Sequence, residues 1–280
     1  MSRKWSYAIA PAMLLFSLLG CGGGNGDPVT GVSASNLKYT GALSAVNLTL
    51  TGNALDNPVK VSANKTSCTV FAATSATSRA AQCILSLPTT RKVDIVVTSN
   101  SDYVLYTTTL TAPAPQVTLK TTLGDVVMEL DSVAAPITVK NFLSYVDQNP
   151  SFYKDTLFHR VIAGFVAQGG GFTTGMVQKT GLSPAIALES QNGLQNVRGS
   201  VAMARTSAAD SATSQFFVNL VDNAFLNYSS PSSPGYAVFG KVISGMNVID
   251  SMATQPTQTV GSNQNVPVTD ITITSASQTQ

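Results

Sequence analysis

His159 is the one histidine of the 280-residue chain, and Cys21, Cys68 and Cys83 are its three cysteines. Those counts limit the chemistry before any motif is considered. A single imidazole excludes metal centres built on two or more histidines, and three cysteines are too few for a Cys-rich zinc module, so no metal and no cofactor is expected. A Ser-His-Asp hydrolase would have to recruit His159, yet no Gly-x-Ser-x-Gly elbow occurs in the chain. The glycines between Gly169 and Gly175 are not followed by Lys-Ser or Lys-Thr at phosphate-loop spacing, and they read as a tight turn. Strand alternation sets His159 opposite to Arg160, which makes the histidine a structural residue and leaves the arginine free to act.

The cysteines differ in setting. Arg3 and Lys4 precede an apolar run from Ala8 to Leu19 that is too short to span a bilayer but suits the core of a secretory signal. The run ends in Leu18-Leu19-Gly20-Cys21, which resembles the lipobox of bacterial lipoproteins. That resemblance implies that residues 1–20 are a signal peptide and that Cys21 is lipidated. Gly22 rather than Asp follows it, which favours an outer-membrane anchor facing the periplasm. Cys68 and Cys83 lie in two strand-like segments, Ser67 to Ala72 and Gln82 to Leu87, and an oxidising envelope compartment would join them as a disulfide. Without Arg3 and Lys4 the chain carries 14 basic against 14 acidic side chains. So even a balance offers phosphate backbones little attraction, and no nucleic-acid partner is expected.

Residues 21–31, with Gly22-Gly-Gly-Asn-Gly26, read as a flexible tether. From 32 to 112 the chain is rich in Thr, Val, Ser and Leu with period-2 alternation, as in Leu48-Thr49-Leu50 and Val93-Asp94-Ile95. Turn formers at Gly52-Asn53, Asp56-Asn57-Pro58 and Ser99 to Asp102 punctuate it, the pattern of a small antiparallel β-sandwich. Around Asn47 to Leu55 it resembles the immunoglobulin-like modules of bacterial surface lipoproteins, and its reading is a spacer or docking module. A Pro-rich hinge, 113–116, ends it. A hairpin over Val117 to Leu130 then opens a second domain, 117–276. Pro136 sits where a helix begins, with Val139, Phe142, Leu143 and Val146 on one face. Strands are expected at Leu157 to Ile162, Val166 to Gly169, Ser200 to Ala204, Gln215 to Leu220, Ala237 to Val242 and Thr269 to Thr274, with a second helix from Met246 to Met252. So many short strands argue for a closed barrel capped by helices.

The run Phe158-His159-Arg160-Val161-Ile162-Ala163-Gly164-Phe165-Val166-Ala167-Gln168-Gly169-Gly170 resembles the signature of the cyclophilins. The resemblance continues through Ser200 to Ala204, Ser214-Gln215-Phe216-Phe217, Ala224-Phe225-Leu226 and Tyr236 to Val242, and is nearest to bacterial periplasmic members. It implies a mainly β fold, an eight-stranded closed barrel capped by two helices, and peptidyl-prolyl cis/trans isomerase activity. Arg160 and Gln168 match the family's catalytic positions. Phe165, Met203, Ala204, Gln215, Phe217, Phe225, Leu226 and Tyr236 match its substrate groove. Where many eukaryotic members carry Trp, His, Asn and Met, this chain has Phe225, Tyr236, Arg205 and Val166, departures that bear on cyclosporin binding and substrate preference.

The function expected is therefore isomerisation of X-Pro bonds in unfolded or folding exported polypeptides, by a monomer held at the bilayer through Cys21. The alternative is a cyclophilin-like peptide-binding or holdase module on an envelope lipoprotein, without essential turnover.

Overall fold

The computed structural model describes residues 28–39, 44–86 and 90–280. The expected signal peptide, Cys21 and most of the tether lie outside them. The chain divides into two units, whose described parts are 28–37, 44–85 and 93–110 for the first, and 38–39, 86, 90–92 and 111–280 for the second.

In the first unit, strands β1 (Val29–Ala34), β2 (Ser44–Gly52), β6 (Ser78–Leu85) and β5 (Thr69–Ser75) form one antiparallel sheet in that order, and β4 (Thr66–Ser67), β3 (Val59–Ala63), β7 (Lys92–Ser99) and β8 (Val104–Thr111) form another. β1 opens inside the segment expected to be tether, because Val29 and Val32 are buried and pair with β2. Alternation places Val46, Leu48 and Leu50 of β2, and Val93, Ile95 and Val97 of β7, on buried faces. Cys68, between β4 and β5, is disulfide-bonded to Cys83 of β6.

The second unit carries the longer sheet. Its strands are β9 (Gln116–Thr121), β10 (Gly124–Leu130), β11 (Thr156–Leu157), β12 (Arg160–Ile162), β13 (Val166–Gly169), β16 (Ser200–Met203), β17 (Phe216–Asn219), β18 (Val238–Ser244) and β21 (Thr272–Gln278). Small hairpins β14 (Phe172–Thr173) with β15 (Val177–Gln178) and β19 (Thr257–Val260) with β20 (Asn263–Pro267) stand apart from it. The order is β11-β21-β9-β10-β18-β16-β17-β13-β12. This corrects the eight-stranded closed barrel: the sheet has nine strands, and its edge strands β11 and β12 are not paired with each other. They are consecutive in the chain, joined by Phe158-His159. The expected continuous strand Leu157 to Ile162 breaks there, where the Phe158 N–H donates to the Ile271 carbonyl at 2.8 Å. The first and last strands, β9 and β21, lie side by side, and Gln116 and Thr279 join their ends with a 2.8 Å bond from the Thr279 N–H.

Helix α1 (Pro136–Val146) starts at proline, which lacks only an N–H that would have no intrahelical partner, and buries Val139, Phe142, Leu143 and Val146 as the periodicity predicts. Phe142 meets Phe216, Phe239 and Tyr153 at ring-centroid distances of 5.1–5.5 Å, so the core of this unit lies between α1 and the sheet face that carries Phe216. Helix α2 (Met246–Ala253) buries Ile249 and Met252.

No residue adjacent to α1 caps its first turn. Glu189, 51 residues from Thr138 in sequence, does so instead: its carboxylate accepts the Ile137 N–H at 3.0 Å, the Thr138 N–H at 2.8 Å and the Thr138 hydroxyl at 2.7 Å. A negative charge on otherwise unpaired amides at the positive end of the helix dipole is stabilising. Glu189→Ala is expected to cost about 1 kcal/mol, the usual magnitude for a lost cap. Thermal unfolding followed by circular dichroism checks this, and an unchanged midpoint would remove the cap from the stabilising contacts.

Candidate active site

Antiparallel pairing lines up Arg160 with Gln168, Gln168 with Phe217, and Phe217 with Ala202 across β12, β13, β17 and β16. Directly paired residues share a face. A guanidinium, a carboxamide and a phenyl ring therefore stand in one row on the face opposite the Phe216 core. Phe165 follows the β12–β13 turn, and the Arg160 guanidinium lies 5.8 Å from its ring centre.

A cleft of about 180 Å³ opens over this row, lined by Arg160, Phe165, Val166, Gln168, Ala204, Arg205, Phe217, Leu226 and Tyr236. Its floor is apolar and anchored in a buried cluster of Val166, Ala202, Phe217, Leu226 and Val238. Tyr236 meets Phe217 edge-on at 5.6 Å. Arg205 covers the outer face of Tyr236 at 4.7 Å while its Nε donates to the Gly235 carbonyl at 2.9 Å. Gly235 must be glycine here: its φ is +64°, and a Cβ would fall 2.5 Å from the Asn227 backbone.

A second cleft of about 450 Å³ shares Arg160 and Gln168 with the first and is otherwise lined by His159, Phe172, Gln215 and the turn Ser262-Asn263-Gln264-Asn265. Gln168 Nε2 donates to Gln215 Oε1 at 2.9 Å, which fixes the carboxamide beside Arg160. Burial pushes the His159 imidazole down to about 4, with the Leu157 carbonyl opposing, the Arg160 charge adding to the drop and the Gln215 side chain opposing. The ring is therefore neutral at ordinary pH, and Arg160 is the cation shared by the two clefts.

These blocks belong to a known family: residues 116–278 match the model of the cyclophilin type peptidyl-prolyl cis-trans isomerases. The chain is a cyclophilin. It is 55% identical over 159 residues to a peptidyl-prolyl cis-trans isomerase of Acinetobacter baylyi, spanning 57% of this chain and 82% of that protein. It is 50% identical over 161 residues to peptidyl-prolyl cis-trans isomerase B of Escherichia coli, 57% of this chain and 96% of that one. A crystal structure of a Cryptosporidium parvum cyclophilin type isomerase aligns with a TM-score of 0.49 at 25% identity, over 60% of this chain and 99% of the other.

Within this cyclophilin the expected site residues are not all in one place. Arg160, Gln168, Phe165, Ala204, Phe217, Leu226 and Tyr236 line the first cleft together. Met203 does not: it is 2% exposed and does not line the cleft. Phe225 is 71% exposed and stacks on Phe165 at 5.7 Å, forming an outer rim. Gln215 lies in the second cleft.

The sequence reading missed the residues that hold the walls. Asn219, fully buried, donates to Asn196 Oδ1 at 3.1 Å and to Ser200 Oγ at 2.9 Å. Asn223 donates to Asn219 Oδ1 at 2.8 Å and to the Phe165 carbonyl at 3.0 Å, and Asn196 donates to the Leu226 carbonyl at 3.1 Å. The carboxamide chain thus ties Phe165 and Leu226, both lining the cleft, to one buried network. Its one sequence signal is Asn219 closing the otherwise apolar strand Phe216-Phe217-Val218.

Proposed function

We propose that the chain isomerises X-Pro bonds in exported polypeptides, with Arg160 as the catalytic group. The observation that carries this is the row Arg160–Gln168–Phe217, which sets one guanidinium beside an apolar floor of proline size. The barrier to prolyl rotation, roughly 18–20 kcal/mol, comes from the partial double bond between carbonyl carbon and nitrogen. A proline ring on Phe217 and Leu226 places its nitrogen within reach of Arg160. As the amide twists, the nitrogen lone pair localises and accepts an Arg160 N–H, a bond that the planar ground state does not offer. Gln168 holds the substrate backbone and, through Gln215, keeps its own orientation. No bond is made or broken in the substrate.

The site of action follows from the leader. The lipobox-like Leu18 to Cys21 supports lipid attachment at Cys21 and a position at the outer membrane facing the periplasm, and the Cys68–Cys83 disulfide accords with an oxidising compartment. The paired sheets of the first unit serve in this reading as an immunoglobulin-like spacer between bilayer and isomerase. The test is Cys21→Ser in a bacterial host, followed by membrane fractionation and a proline-isomerisation assay of each fraction. The unaltered protein is expected in the membrane fraction and the variant as soluble, active enzyme. Membrane retention of the variant would overturn the anchor, and inactivity of both would overturn the enzymatic reading.

A further inference from the structure

We propose that the second cleft is a specificity subsite that binds the polypeptide segment flanking the proline and prefers uncharged, hydrogen-bonding side chains there. The proposal rests on the isomerase reading and extends it to the choice of substrate. Because Arg160 and Gln168 line both clefts, a chain held by them with its proline on Phe217 runs directly into the second. At about 450 Å³ against 180 Å³, that cleft has room for more than one residue to be clasped beyond the proline.

Its chemistry is uniform. Gln168 and Gln215 bring two carboxamides to it, and Ser262 with Asn263, Gln264 and Asn265 at the start of β20 supplies a hydroxyl and three more. Each carboxamide both donates and accepts, which suits main-chain amides and the side chains of Ser, Thr, Asn and Gln. The hairpin turn is tight, with Gly261 at φ 59° in the left-handed region, and Asn265 at φ 59° interrupts the regular backbone of β20 just after it. Buried His159 adds an Nδ1 that lacks a hydrogen-bond partner of ordinary geometry. Among the described residues no carboxylate lines the cleft and its one charge is the Arg160 guanidinium. A lysine or arginine entering it would lose hydration, find no counter-charge and meet a like charge.

The test compares an alanine-based tetrapeptide containing one proline with octapeptides that carry Gln and Ser, or Lys, on both flanks of the same proline. For the full chain the Gln/Ser octapeptide is expected to show a KM at least fivefold below that of the tetrapeptide, and the Lys octapeptide no such advantage. Ser262→Ala combined with Gln264→Ala, at two exposed positions, should reduce the octapeptide advantage to under twofold. A Gln/Ser octapeptide with no advantage, a Lys octapeptide with an equal one, or a double variant that keeps it would each overturn the subsite. Failure of the unaltered chain to turn over the tetrapeptide would instead overturn the isomerase reading on which the subsite rests.

Discussion

Arg160→Ala is expected to lower kcat/KM for prolyl isomerisation at least tenfold, a loss of about 1.4 kcal/mol in transition-state stabilisation. The fall should sit mainly in kcat, because the bond to the prolyl nitrogen forms only as the amide twists, whereas the apolar floor that binds the ring is untouched. The fold should persist: Arg160 is half-buried at the edge strand β12, and its guanidinium faces the cleft rather than the core. Arg160→Lys should recover little, since an ammonium keeps the charge but not the planar fork. Stopped-flow or coupled isomerisation kinetics decide the matter. Wild-type kcat in the alanine variant would remove Arg160 from the mechanism and place the catalysis elsewhere in the cleft.

The largest effect on stability is expected from Phe216→Ala. Phe216 is fully buried and meets Phe142, Tyr153 and Phe158 edge-on at 5.5, 5.6 and 5.9 Å, so its removal opens a cavity where α1, the sheet and the β11–β12 junction converge. Aromatic truncations of this kind cost roughly 3–5 kcal/mol. Little collapse can fill the gap, because Tyr153 is held by its hydroxyl on the Ser214 carbonyl at 2.8 Å. Urea unfolding followed by circular dichroism measures the loss, and a change below about 1 kcal/mol would mean that the core repacks freely, against the dense packing normal to protein interiors. Phe217→Ala, one position along, faces the cleft, so its main expected cost is in KM.

The pair Phe216 and Phe217 illustrates what sequence could and could not convey. Alternation and the cyclophilin-like blocks were enough to put Arg160, Gln168 and Phe217 in one groove, but His159, expected opposite to Arg160, precedes β12 and lines the second cleft beside it. Helix α1 was readable from Pro136 and its apolar periodicity, since both signals are local. The β19–β20 hairpin was not, because Thr257-Gln-Thr-Val260 and Asn263-Gln-Asn265 carry almost no apolar alternation and read as loop. Phe158-His159 hid the end of β11, because an apolar run does not reveal where its backbone turns away to a different neighbour. Glu189 and the Asn196–Asn219–Asn223 network depend on partners tens of residues away or on burial, which no spacing rule encodes. Met203 matched the family motif yet is buried and does not line the cleft, since a motif gives order along the chain and not depth.

The pairing of β9 with β21 has a consequence of another kind. Because the stretch from Gln116 to Thr279 begins and ends on neighbouring strands joined at those two residues, it is in effect a cassette whose two ends meet at one seam. Material can be spliced in at the seam, or the loop of ancestry redrawn by circular permutation, without disturbing any strand that bears Arg160 or Gln168. Gene fusion or recombination at that seam therefore needs no redesign of the catalytic face.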